Sequence, residues 1–202
     1  MNSRLDRNFR VILDREQRFA KSVAFESIDR PELTAWLIIA PLYIIYWLYR
    51  ARKYKRSIES FHKSFLVHKK WALERAYEMA EQGTSAKELL QRFLEQAGHL
   101  ADNPKLQQSV QQELATLLQH YYRLLNATGN DYAQLVRSAY PTQEEFQEVV
   151  DSLLQTEKNE SQAALEGMQD VDLESASEVS SKMLEASSRL RNRDVQNIFG
   201  SS

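Results

Sequence analysis

The chain has 202 residues, 43% hydrophobic and 27% charged, enough for one or two small domains. Its formal net charge of -2 argues against a general affinity for nucleic acid. Without cysteine there is no disulfide, thiolate metal site or Cys nucleophile, which fits a reducing compartment, and 5 Gly and 4 Pro are too few for a turn-rich β architecture.

Residues 1–28 read as a basic amphipathic arm. Leu5, Phe9, Ile12, Phe19 and Val23 fall at helical spacings, and Glu16 interrupts their stripe. Arg4, Arg7, Arg10, Arg15, Arg18 and Lys21 flank it. Two readings stand. The helix lies along an anionic membrane surface, or it packs on later helices. Asp6, Asp14 and Glu16 do not suit a mitochondrial transit peptide, and the first residues lack the pattern of a signal peptide.

Residues 29–57 hold the one strongly apolar stretch. Leu33–Tyr49 runs for seventeen residues without a charge. Asp29 can cap a helix there, with Pro31 in the first turn. At about 1.5 Å per residue the run reaches roughly 25 Å, against about 30 Å of bilayer hydrocarbon. Trp36 lies near one end, and Tyr46, Trp47 and Tyr49 near the other, as interfacial aromatics do. Ile39 and Tyr43 complete the membrane segment around Pro41. Pro41 removes a backbone donor and predicts a kink or the bend of a re-entrant hairpin. Arg50, Arg52, Lys53, Lys55 and Arg56 follow as a collar for anionic headgroups. The C-terminal flank is the more basic, which places the bulk of the chain on the cytoplasmic side. A shallow re-entrant segment would keep both flanks there.

Residues 58–156 read as a helical bundle. Ile58, Phe61, Phe65, Ala72, Ala76 and Met79 recur at helical steps before Gly83. Ser85 and Glu88 match a capping box ahead of Leu89, Leu90, Phe93, Leu94, Ala97 and Leu100. Asp102, Asn103 and Pro104 stop that helix and start another. Leu106, Val110, Leu114, Leu117, Leu118, Tyr121, Leu124 and Leu125 then form the most regular stripe in the chain. Gly129, Asn130 and Asp131 predict a turn into a short helix with Tyr132, Leu135, Val136 and Ala139. Pro141 breaks it. Thr142 and Glu145 repeat the capping pattern before Phe146, Val149, Val150, Leu153 and Leu154. Short connections favour antiparallel neighbours.

Residues 157–202 change in composition. Eight acidic residues from Glu157 to Glu185 face only Lys158 and Lys182, and serines cluster at 175–188. Leu165, Met168, Ala176, Val179, Met183, Ala186 and Leu190 keep helical spacing. The segment is an acidic, Ser-rich tail, helical or disordered.

No pattern assigns chemistry. His62, His68, His99 and His120 are the only histidines, and no two stand three or four residues apart as a helical metal pair. A lone helical His reads as a surface or packing residue. There is no phosphate loop and no nucleophile elbow. Tyr121, Tyr122, Tyr132 and Tyr140 read as core tyrosines with hydroxyls at the edge. No catalytic, cofactor-binding or metal residue is assigned, and no cofactor is expected.

The resulting expectation is an all-α chain: a kinked or re-entrant membrane segment, a helical bundle and a polar tail. Functionally it is a non-catalytic, membrane-anchored scaffold on the cytoplasmic side, single-pass or monotopic. Its partners are anionic lipid and an unidentified protein, and the bundle is a candidate homo-oligomer. The alternative is a soluble ligand-binding bundle or enzyme with Leu33–Tyr49 as its buried core helix.

Overall fold

The structure is a computed structural model that describes residues 3–27, 65–96, 103–167 and 173–200. Among the described residues every regular element is an α-helix. They are α1 (Ser3–Ser27), α2 (65–82), α3 (Ala86–Gln96), α4 (Pro104–Asn126), α5 (Tyr132–Ala139), α6 (Gln143–Gly167) and α7 (Leu173–Phe199). The apolar run Leu33–Tyr49 and the collar Arg50–Arg56 lie outside the described residues. No described helix is long and apolar enough to cross a membrane.

Helix boundaries follow local chemistry. Gly83 ends α2 in the left-handed conformation, φ 74°, and its N–H donates to the Met79 carbonyl at 3.0 Å. Asn103 caps α4, its Oδ1 accepting from Leu106 N at 3.0 Å, with Pro104 in the first turn. Asp131 caps α5 by accepting from Gln134 N at 2.9 Å. Thr142 caps α6 by accepting from Glu145 N at 3.2 Å. Each cap satisfies an N–H that the first helical turn leaves without an intrahelical partner.

The central helix is α4. Val110, Leu114, Leu117, Leu118, Tyr121, Leu124 and Leu125, all from its sequence stripe, are buried. It packs on α6, α1, α3 and α5, while α7 covers α6 and α1. The apolar face of α1 enters the same core through Leu5 and Ile12, while Phe19 and Val23 join Ala186 of α7 in a second, smaller cluster. That face meets protein, while Arg4, Arg7, Arg10, Arg18 and Lys21 remain exposed on the other.

Helices α1 and α2 are antiparallel neighbours. The Phe19 and Phe65 rings are 6.1 Å apart, and Phe9 meets Tyr77 edge-on at 5.6 Å. The Tyr77 hydroxyl donates to Asp6 at 2.7 Å. The C-terminal turns of α1 and the first described turn of α2 therefore share one end of the bundle. The start of α4 and the end of α6 meet where Asn103 Nδ2 donates to the Ala163 carbonyl at 3.0 Å. At the opposite end, Arg137 donates to the Ile198 carbonyl at 2.7 Å and Phe146 packs on Phe199.

The change of composition at residue 157 falls inside α6, which continues to Gly167 without a break. Beyond it, α7 is a 27-residue helix antiparallel to α6. Ser187 and Arg191 of α7 meet Glu157, whereas Gln147 reaches Asn192.

Candidate metal centre in a buried charged layer

A layer of ionisable side chains crosses the bundle at mid-height. Each belongs to a helix whose other inward positions are mostly apolar. Glu16 stands between Ile12 and Phe19 on α1. His68 and Lys69 fill the gap between Phe65 and Ala72 on α2. Glu113 sits between Val110 and Leu114 on α4, and Glu157 and Glu160 continue the face of α6 beyond Leu153. Helical spacing thus aims them into the core whatever their polarity.

One half of the layer is an ion-pair network. Lys69, only 2% exposed, places Nζ 3.7 Å from Glu16 Oε2 and 3.6 Å from Glu157 Oε1. Arg191 pairs with Glu157, and the Ser187 hydroxyl donates to the same carboxylate at 2.8 Å. Arg15 pairs with Asp194 nearer the surface. Three cations gather around the Phe19 ring, at 5.0 Å for Arg191, 5.3 Å for Lys69 and 5.4 Å for Arg15. The negative ring face adds to the attraction each finds in a carboxylate. Burial alone would raise the Glu16 carboxyl, but Lys69, Arg191 and Arg15 outweigh it and hold the pKa below the ordinary value.

The other half is a triad from three helices. His68 Nδ1 is 2.8 Å from Glu113 Oε2 and 3.7 Å from Glu160 Oε1. One ligand atom from each of the three lies within 4.8 Å of the others. The Phe93 ring of α3 meets the imidazole edge-on at 6.4 Å. Burial opposes a charged imidazole, yet the hydrogen bond and charge of Glu113, with Glu160 behind it, raise the His68 pKa. Burial likewise opposes the Glu113 carboxylate, and the His68 bond overrides it downward. At Glu160 the His68 charge compensates only in part. Burial and the adjoining Glu113 charge push it up to about 8.

His120 lies apart from the triad. It is buried, with Nδ1 2.8 Å from the Tyr140 hydroxyl and its ring stacked on Tyr140. A cavity of ≈ 30 Å³ beside it is lined by Arg15, Glu16, Tyr132 and Arg191 among others. That is room for about one or two water molecules, with polar groups to hold them. Burial, reinforced by the Arg191, Lys69 and Arg123 charges against the opposing pull of Glu16, lowers the His120 pKa to about 4. Its imidazole is neutral at physiological pH.

The membrane-segment residues Trp36, Ile39, Pro41, Tyr43, Tyr46, Trp47 and Tyr49 lie outside the described residues, as do Arg50, Arg52, Lys53, Lys55 and Arg56. Tyr121 and Tyr140 are buried as core tyrosines, whereas Tyr122 is exposed. His68, Glu113 and Glu160 were invisible to a search for ligand spacing, because the three come from separate helices. No protein-family model matches the chain, and no curated protein or solved structure is similar enough to lend it a function.

Proposed function

We propose that this protein is a monotopic, membrane-tethered helical scaffold whose bundle rests on the cytoplasmic face of a bilayer. The antiparallel pairing of α1 and α2 carries the reading. One helix precedes the apolar run and the other follows it, yet Phe19 adjoins Phe65 and Glu16 faces Lys69 in the same bundle. A single crossing would put those two helices on opposite sides of the bilayer. A segment that enters and leaves by one face keeps them together.

Pro41 divides Leu33–Tyr49 into halves of eight residues, each about 12 Å long as helix, so the insertion is shallow. Trp36, Tyr46, Trp47 and Tyr49 anchor it at headgroup depth, and the collar from Arg50 to Arg56 binds anionic lipid. The basic flanks favour the cytoplasmic face. The bundle then serves as a docking body for a protein partner rather than as a catalyst.

The cysteine-free chain makes a direct test simple. Arg7→Cys and Gln91→Cys each introduce one thiol at an exposed position, before and after the apolar run. In sealed membranes of known orientation, an impermeant maleimide should label both from the cytoplasmic side only. Labelling from opposite sides would establish a single crossing and overturn the monotopic reading. A full-length chain that stays soluble and monomeric without detergent, and fails to float with anionic vesicles, would favour a soluble ligand-binding bundle.

A further inference from the structure

The geometry points to a divalent transition-metal site formed by His68, Glu113 and Glu160. The donors are one imidazole nitrogen and two carboxylate oxygens, delivered by α2, α4 and α6. Ligands bound at about 2.1 Å stand roughly 3.0 Å apart at right angles and roughly 3.4 Å apart in a tetrahedron. The two separations from His68 Nδ1, 2.8 Å and 3.7 Å, bracket that range. A small rotation of the Glu160 side chain, which is 27% exposed, would bring all three donors onto one ion.

The ion pairs of the layer set the same three donors apart. Lys69 and Arg191 pair with Glu16 and Glu157, which leaves Glu113 and Glu160 together with His68.

The donor set selects the ion. Imidazole nitrogen with carboxylate oxygen suits Zn²⁺, Mn²⁺ or Fe²⁺, whereas Mg²⁺ and Ca²⁺ prefer oxygen alone. Three protein ligands leave at least one position for water. The ion would clamp three helices of the bundle, with Phe93 fixing the imidazole from the side.

The test uses the full chain in detergent, stripped with a chelator and titrated with Zn²⁺, Mn²⁺ and Mg²⁺ in turn. One equivalent of Zn²⁺ should bind with a dissociation constant below about 10 µM, and Mg²⁺ should bind far more weakly. Glu160→Gln should weaken Zn²⁺ at least about tenfold. Gln keeps the shape of this part-exposed side chain, and the urea midpoint of the variant checks that it folds. Glu166→Gln, on the surface, should bind as the native chain does. In the unaltered chain, Mn²⁺ should broaden the His68 ring resonances selectively. The assignment is overturned if no equivalent of Zn²⁺ binds, if Glu160→Gln leaves the affinity unchanged, or if Mn²⁺ spares His68.

Discussion

Asn8 closes the end of α4 from a different helix: its Nδ2 donates to the Leu125 carbonyl at 3.0 Å. The same amide reaches the Ala127 carbonyl at 3.0 Å, and the side chain is fully buried. The last carbonyls of a helix have no intrahelical donor, and here α1 supplies one. Asn8→Ala should lower unfolding free energy by about 1–3 kcal/mol, because the carbonyls it leaves stay buried. Asn8→Asp should cost more, since a carboxylate would face carbonyl oxygens. Urea denaturation of the three chains checks both the loss and its order.

Glu157 holds two buried cations, Lys69 and Arg191, and accepts from Ser187. Removing it takes from buried Arg191 the carboxylate it pairs with and leaves Lys69 with Glu16 alone. Glu157→Ala should lower stability by about 3–5 kcal/mol. Glu166→Ala breaks an exposed pair with Lys105 and should cost no more than about 1 kcal/mol. Equal losses in chemical denaturation would contradict the burial argument.

His120 predicts an acid limb in the stability profile. Its folded pKa, about 4, lies below the ordinary 6.5, so between these values the unfolded chain binds more protons. Its contribution is complete above about pH 6.5 and is lost as pH falls toward 4. The charged or titratable groups around it are Glu16 on α1, Lys69 on α2, Arg123 on α4, Arg191 on α7 and Tyr140 after α5. His120→Gln removes the titration. Urea midpoints at pH 7 and pH 4.5 should fall further for the native chain than for the variant.

Two glycines should fail as alanine for opposite reasons. Gly83 has φ +74° with nothing within 4 Å of an added Cβ, so Gly83→Ala meets backbone strain alone, about 1 kcal/mol. A Cβ on Gly129 would stand 2.7 Å from Gln134 Cβ and 2.8 Å from Leu135 N, so the loop must shift, at about 1–3 kcal/mol. Asparagine tolerates the left-handed region. Gly83→Asn should therefore recover part of the loss, whereas Gly129→Asn should not. Thermal midpoints of the four variants distinguish strain from collision.

Local features of the fold were legible because local chemistry determines them. Asn103, Asp131 and Thr142 cap the helices expected from their side chains, and the α4 stripe is buried. The ordering of α7 was not legible. Counting acids against Lys158 and Lys182 omits Arg191, whose guanidinium meets Glu157 across the α6–α7 contact. The candidate metal centre was hidden for a related reason. His68, Glu113 and Glu160 are brought together by helix packing, and no short spacing encodes that. Their partial signature is a charged or polar residue at a position where an amphipathic stripe calls for an apolar one. Glu16, interrupting its stripe, was visible in this way, and His68 and Lys69 occupy the same kind of gap.

The pairing of α1 with α2 also brings the two ends of the stretch 28–64 into one folding unit. The apolar run Leu33–Tyr49 can therefore be exchanged for a polar connector without rerouting any described helix. A chain altered in this way should retain the Phe9–Tyr77 and Phe19–Phe65 contacts, refold from urea without detergent, and offer the bundle for crystallisation apart from the apolar run.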